Sequence, residues 1–210
     1  MLLLDGPNAS IGPSGNSQLA LASTGPAPPV GPGSPGLLAL INGAALSTDG
    51  DFANGGDIRL DAAGGSGGST LTIRGALNNS GTLILGGIES DISSSSVTAA
   101  SLNNTGVISL LGFLPGATLA IGSSAPLTWI GGLYLISNSL LEFTEGSISA
   151  IGAGGTIQLT GLNERVAVAG DHSGNTALTA LAENAGDLKM GQGALLSTTV
   201  DLTNSASATI

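Results

Sequence analysis

A nine-residue phrase occurs twice in this chain, 25 residues apart, and it restricts the fold more than any other feature. Leu77-Asn-Asn-Ser-Gly-Thr-Leu-Ile-Leu85 returns as Leu102-Asn-Asn-Thr-Gly-Val-Ile-Ser-Leu110, and Leu202-Thr-Asn-Ser-Ala-Ser-Ala-Thr-Ile210 is a weaker third copy. Its kernel is a small residue, any residue, then apolar, variable, apolar. The kernel recurs at Gly36, Gly56, Gly81, Gly106, Gly131, Gly155, Gly186 and Ala206, at spacings of 20, 25, 25, 25, 24, 31 and 20 residues. A fainter copy starts at Ser17. A period of this length marks a stack of small structural units, each burying its apolar face against the next.

Aligned on the anchor, the copies form columns. Two residues on stand Leu38, Ile58, Leu83, Ile108, Leu133, Ile157, Leu188 and Ala208. Four residues on stand Leu40, Leu60, Leu85, Leu110, Leu135, Leu159, Met190 and Ile210. Between them the chain reads Ala39, Arg59, Ile84, Ser109, Tyr134, Gln158, Lys189 and Thr209. Apolar, variable, apolar is the alternation of a strand with one buried face. Leu71-Thr-Ile73, Leu119-Ala-Ile121 and Val166-Ala-Val168 repeat it later in the unit, so each unit holds several short strands. The expected fold is all-β: a right-handed parallel β-helix, a β-solenoid with about 20–25 residues per coil, whose eight or so rungs make a rod of about 40 Å.

A third column lies two residues before the anchor: Ser34, Asn54, Asn79, Asn104, Trp129, Ala153, Asn184 and Asn204. Asn tolerates a left-handed turn and bonds locally, and stacked amides can bond to the same residue one coil away. Asn54, Asn79, Asn104, Asn184 and Asn204 are therefore read as a structural turn ladder. Trp129 interrupts the ladder; core packing is its favoured reading, and it is otherwise the best single candidate for an exposed contact. Helix is disfavoured, because Gly, Ser, Thr and Asn dominate and no long 3.6-residue apolar stripe is present. An antiparallel sandwich is the rival fold, but it does not require identical columns at near-constant spacing.

Composition agrees with many thin layers. The 210 residues include 35 Gly but only 2% aromatics, so the core is built from Leu, Ile, Val and Ala. Only 4 Lys and Arg stand against 14 Asp and Glu, a net charge of -10. That balance excludes nucleic acid as a partner and disfavours an anionic membrane surface. With no Cys there are no disulfides and no thiolate chemistry. No secretory signal or stretch of about 18 apolar residues is visible, so no membrane insertion is expected. The chain reads as a segment of a longer protein.

Five of the nine prolines fall in Thr24–Gly36, and proline cannot donate to a sheet ladder. Residues 1–35 are thus expected to be a loose N-terminal segment and Pro/Gly-rich linker, or to hold one atypical rung. Residues 36–210 are expected to form the β-helix. Gly64–Ser69 reads as a flexible loop off the coil, and the 31-residue spacing before Gly186 as an insertion over Asn163–Asn175.

The kernel Leu77–Leu85, with Gly155-Thr-Ile-Gln-Leu-Thr-Gly161 and Leu202-Thr-Asn-Ser, resembles the repeats of bacterial autotransporter passengers and filamentous-haemagglutinin-like exoproteins over about residues 36–210. The resemblance implies an exported, surface-displayed protein that serves in adhesion or biofilm. It carries over no receptor motif, and no C-terminal membrane barrel is present to define an export route.

Candidate chemistry is sparse. Asp171 and His172, the single histidine, would make an acid/base pair on the inserted loop; the alternative is a solvated polar loop, and Ser173 beside them does not by adjacency make a triad. Glu142 and Glu145 would be the two carboxylates of a glycosidase or lyase on a lateral face, although only Trp129, Tyr134 and Phe143 lie near in sequence to stack on sugar. Asp49, Asp51 and Asp57 would hold calcium with loop carbonyls, but they lack a full calcium-loop pattern. Gly64–Gly68 is followed by no Lys-Ser/Thr and makes no phosphate loop. Ice binding would need a regular outward Thr column, which the variable column lacks. The expected function is a structural or adhesive rod segment of a large bacterial surface or secreted protein, without cofactor or catalysis. Its partner would be a host, glycan or self surface, including end-to-end association of rods. The alternative is a carbohydrate-active β-helix using Glu142 and Glu145.

Overall fold

The computed structural model describes residues 2–5, 10–11, 20–21, 36–62, 67–87, 94–112 and 116–205. They form a parallel β-solenoid with three faces. Among the described residues the strands pair in parallel, an isolated antiparallel bridge between Val168 and Asp171 apart, and the only helical element is the 3-10 turn Thr176–Leu178.

The first face is an eight-stranded sheet in chain order: Leu2–Asp5, Leu37–Ile41, Asp57–Leu60, Thr82–Leu85, Val107–Leu111, Gly132–Ile136, Thr156–Thr160 and Asp187–Gly191. Its register is that of the sequence columns. Leu38, Ile58, Leu83, Ile108, Leu133, Ile157 and Leu188 are successive partners, as are Leu40, Leu60, Leu85, Leu110, Leu135, Leu159 and Met190. Apart from Met190, all of these are buried. Each fully buried Leu or Ile contributes roughly 1.5–3 kcal/mol of transfer free energy, so two uninterrupted apolar rows account for much of the cohesion between coils. The eighth copy, with Ala206, Ala208, Thr209 and Ile210, lies outside the described residues.

The second face stacks Ser10–Ile11, Ala45–Thr48, Thr70–Asn79, Ser95–Asn104, Ala117–Ile121, Ser139–Phe143 and Arg165–Val168. Leu46, Leu71, Val97, Leu119, Leu141 and Val166 form its inner column. The long strands Thr70–Asn79 and Ser95–Asn104 continue round a corner into the third face, shifting register between Ala99 and Ser101. That face also holds Ala20–Leu21, Phe52–Asn54, Thr128–Trp129, Ala150–Ile151, Glu183–Asn184 and Thr203–Asn204.

Glycine occupies the anchor because the coils touch there. The Gly36 and Gly81 carbonyls accept the Asp57 and Val107 amides of the next coil at 2.8 Å. A Cβ on Gly56 would overlap the Gly36 carbonyl oxygen, one on Gly81 that of Gly56, and one on Gly106 that of Gly81. The column is a close backbone approach, which only a residue without Cβ allows.

The N-terminal segment, left open between a loose segment and one atypical rung, contributes one strand to each face, pairing with Leu37–Ile41, Ala45–Thr48 and Phe52–Asn54. Other expectations change. The copy anchored at Ser17 is out of register: Leu21 pairs with Asn54 on the third face and not with the Leu column. Ile151, not Ala153, continues the Asn column, since it pairs with both Trp129 and Asn184; Gly152–Gly154 form an extra turn before the anchor Gly155. Leu140 pairs with Arg165, 25 residues on, so the extra length does not begin at Asn163. It lies between the strands Arg165–Val168 and Glu183–Asn184, where the 3-10 turn is added. Ser69 is fully buried in the coil and not part of a loop that leaves it; residues 63–66 lie outside the described residues.

Candidate functional site

The polar groups fall into three settings: inside the coil, on its lateral faces, and at the corner beside the extra segment. Inside, Asn54 donates from Nδ2 to Asn79 Oδ1 at 2.7 Å, Asn79 to Asn104 Oδ1 at 2.7 Å, and Asn184 to Asn204 Oδ1 at 2.7 Å. The second Nδ2 proton of Asn54 goes to the Thr82 carbonyl at 3.0 Å, and its Oδ1 accepts the Gly56 amide at 3.1 Å. Asn54, Asn79 and Asn184 are each 1% exposed. None of the ladder asparagines has positive φ, whereas Asn42, Asn138 and Asn163 do. The ladder thus occupies ordinary strand backbone, and the left-handed rationale belongs to those other three. What selects Asn at the buried positions 54 and 79 is an amide that donates twice and accepts in a place without water, while Asn104 is partly buried and Asn204, at the end of the ladder, is exposed.

Asp61 is a second interior group, with no counterpart among the sequence candidates. Its Oδ1 accepts the Asn42 amide at 3.1 Å and the Ser69 hydroxyl at 2.8 Å; its Oδ2 accepts the Ser69 amide at 2.9 Å and the Ser95 hydroxyl at 2.6 Å. It has 0% exposure and ties together three coils. A carboxylate that accepts four bonds and meets no solvent is a staple, not a reagent.

On the lateral faces the candidates are drawn apart. His172 Nε2 lies 3.1 Å from Glu142 Oε2, while Asp171 turns back to accept the Ser173 hydroxyl at 2.7 Å and its amide at 3.2 Å. Those two bonds hold the Asp171 carboxyl below its ordinary value. The alternative acid/base pairing of Asp171 with His172 is thus not made: the segment is exposed, His172 meets Glu142, and no Ser–His–Asp relay is formed. Glu145 accepts from Ser124 at 3.1 Å. A groove of ≈ 430 Å³ runs past Arg74, Thr98, Ala120, Glu142 and Thr144, with Glu145 not among its walls. The two carboxylates proposed for glycan cleavage do not share this groove. Asp49 pairs with Arg74 at 2.9 Å, Asp51 accepts the Ala76 amide at 2.8 Å, and Asp57 pairs with Arg59 at 3.1 Å. Three separate partners leave no shared calcium loop, and the described residues contain no group of three or more His, Cys, Asp or Glu able to hold a metal.

Trp129 is 1% exposed, with Nε1 donating to the Gly131 carbonyl at 3.2 Å. It is a core residue, as the core-packing reading has it, and not an exposed contact: the indole fills the corner volume that the Asn ladder vacates. Exposed apolar groups instead flank it, Leu127 at 73% and Ile130 at 51%. Outward hydroxyls occur on the second face, where Ser47, Thr72 and Thr98 stack, but Ala120 and Glu142 break that column. No helix of the described residues is long and apolar enough to cross a membrane. At the remaining corner, Glu164 is 4% exposed and its Oε2 has no hydrogen-bond partner; burial pushes its carboxyl above the ordinary range, against its own backbone amide and Arg165. Sequence reasoning passed over Glu164 because a single acid in a polar stretch carries no periodic signal. Compared with known proteins, the chain matches no family model, no curated protein and no solved structure.

Proposed function

We propose that this chain is a structural or adhesive rod segment of a large bacterial surface or secreted protein, of the autotransporter-passenger or filamentous-haemagglutinin-like kind, displayed outside the cell and without catalysis in this segment. The observation that carries the reading is where the polar side chains are used. The inner ladder and Asp61 bind coil to coil, and the lateral candidates are each engaged by a different neighbour. A repeat invested in stacking yields a stiff spacer with small, hydroxylated and amide-bearing faces. The partner in this reading is a host, glycan or self surface. Beads coated with the purified chain should adhere to cells or to a glycan array, and Glu142→Gln, Glu145→Gln and His172→Ala should leave that adhesion unchanged. The carbohydrate-active reading draws support only from the groove at Glu142. Release of reducing sugar or unsaturated product from acidic polysaccharides, lost in either Glu variant, would replace the rod reading with that one.

A further inference from the structure

Asn-x-Ser/Thr is the acceptor pattern for an N-linked sugar, and it occurs at Asn8, Asn78 and Asn103. Asn8 lies outside the described residues. Asn78-Asn79-Ser80 and Asn103-Asn104-Thr105 are the same phrase in successive coils. Strand alternation splits each Asn-Asn pair. Asn79 and Asn104 turn toward the inner ladder, and two residues after each stands the anchor glycine, Gly81 or Gly106. Asn78 and Asn103 turn outward, and two residues after each stands an exposed hydroxyl residue, Ser80 or Thr105. The acceptor pattern thus falls on the outward amides and not on the inward ones. Of the two, Asn103 is exposed and Asn78 half-buried, and Ser80 Oγ is turned to the Asn54 carbonyl at 3.3 Å.

The surroundings of Asn103 also set it apart. On one side its strand, Ser95–Asn104, pairs with Thr70–Asn79 as far as Asn104. On the other side the pairing with Ala117–Ile121 stops at Ala99, and Thr128–Trp129 belongs to a separate sheet with Ala150–Ile151. The third face is therefore open between these two coils. The gap is a trough of ≈ 220 Å³, with Leu102, Asn103, Thr105, Pro126, Thr128 and Ile130 among its walls. Ile130 and Leu127 leave apolar surface bare on this side of the rod, and a bare apolar patch marks a place that something covers. A pyranose fits such a place chemically: its C–H face packs on aliphatic side chains while its hydroxyls stay in water.

We propose that Asn103 is the acceptor of an N-linked glycan whose first sugar lies in this trough. In the transfer, Asn103 Nδ2 attacks the anomeric carbon of a phosphate-activated sugar. The new C–N bond replaces the C–O bond to phosphate, which leaves with the electron pair, and the amide gives up one proton to solvent. The other proton stays. Asn103 Nδ2 donates to Asn78 Oδ1 at 2.8 Å, which uses one of its two protons, so the bond between coils survives the modification. Asn78, about 4.8 Å away on the next strand, accepts that bond and is too close to carry a second glycan beside the first. A bulky, solubilising sugar at Asn103 covers the apolar side chains next to it. The site rests on the exported reading of the chain, because the pattern marks the surface of secreted proteins.

The test is mass spectrometry of the full chain recovered from the organism that produces it, with the material outside the cells and inside them measured separately. The outside fraction should carry a sugar on the peptide that holds Asn103 and none on Asn78. Asn103→Gln and Thr105→Ala should abolish it, while Thr105→Ser, which keeps the hydroxyl, should retain it. Both positions are exposed, so the variants should melt like the wild-type chain stripped of sugar. An outside fraction with Asn103 bare, or with sugar only on Asn78 or on serine and threonine, would overturn the site and leave the rod reading standing. A chain found only inside the cells, and bare, would overturn the exported reading together with the site. Sugar on Asn103 of a chain found only inside would keep the site and overturn the export.

Discussion

At the scale of single residues, the side chains that matter most are those that replace water or make room. Asn79 sits in mid-ladder, accepting from Asn54 and donating to Asn104 and to the Val107 carbonyl. Asn79→Ala should leave buried donors and acceptors stranded on both neighbouring coils, at roughly 1–3 kcal/mol for each one left unpaired. Asn78→Ala, one residue away and partly exposed, should stay within about 0.5 kcal/mol. Denaturant melts of the two variants check this pair. Gly81→Ala should cost at least about 1–3 kcal/mol, because its methyl group meets the Gly56 backbone and not a movable side chain. Gly50→Ala, with nothing within 4 Å, should be neutral or slightly stabilising. Glu164 gives a pH dependence of the opposite sign to most acids. Its carboxyl is raised in the fold by burial, so the folded chain prefers it protonated. The stability this gives is complete below the ordinary Glu range and is lost as pH rises through the raised value. Glu164→Gln should therefore be more stable than the wild type at neutral pH and indistinguishable from it in acid. A variant less stable at neutral pH would contradict the assignment of burial as the cause.

Elements in this fold are too short to stand alone; many strands have two to five residues, and they persist because each pairs with a strand of a neighbouring coil, most of them on both sides. Leu85 is fully buried and Ile84 faces out between Arg59 and Ser109. Leu85→Asp should cost about 3–5 kcal/mol as an unpaired buried charge, and Ile84→Asp under about 1 kcal/mol as a surface change; equal losses in a denaturant melt would put the strand the wrong way round. The first face was legible in the sequence because apolar alternation and a spacing near 25 act together, and its pairing partners follow the columns from Leu38 to Met190. The third face was legible only where Asn marks it. Its strands Thr128–Trp129 and Ala150–Ile151 have two residues each, too few for a period to show, and the extra turn at Gly152–Gly154 sets Ile151 two positions away from the place that the spacing to the glycine indicates. The N-terminal coil was obscured because 36 residues separate Leu2 from its partner Leu38, and the proline-rich stretch between them masks the repeat. Asp61 and Glu164 were not legible at all: each occurs once, at a corner, and only the assembled coil shows that the position faces inward.

For the whole molecule, the rows of apolar contacts run along the rod while the charge lies on its flanks. The outer strands of the first sheet, Leu2–Asp5 and Asp187–Gly191, each have one partner among the described residues, and Met190 and Leu195 are 41% and 80% exposed. Such edges favour pairing with another chain, and the net charge of -10 opposes it. Salt shortens the screening length from about 30 Å at 0.01 M to about 3 Å at 1 M, so light scattering should find larger assemblies as salt rises; a size independent of salt would show that the edges are not adhesive. The central claim is the stacking itself, with the columns of the sequence as the rows of the sheet. Because the chain has no cysteine, disulfide trapping tests it without background. Ile84 and Ser109 are direct partners on adjacent coils, about 4.8 Å apart and within bridging range. Ile84→Cys with Ser109→Cys should form an intramolecular disulfide under mild oxidation, while Ile84→Cys with Leu111→Cys, two residues out of register and roughly 8 Å away, should not. Efficient trapping of the second pair with failure of the first would contradict the register on which the fold, the ladder and the proposed function all rest.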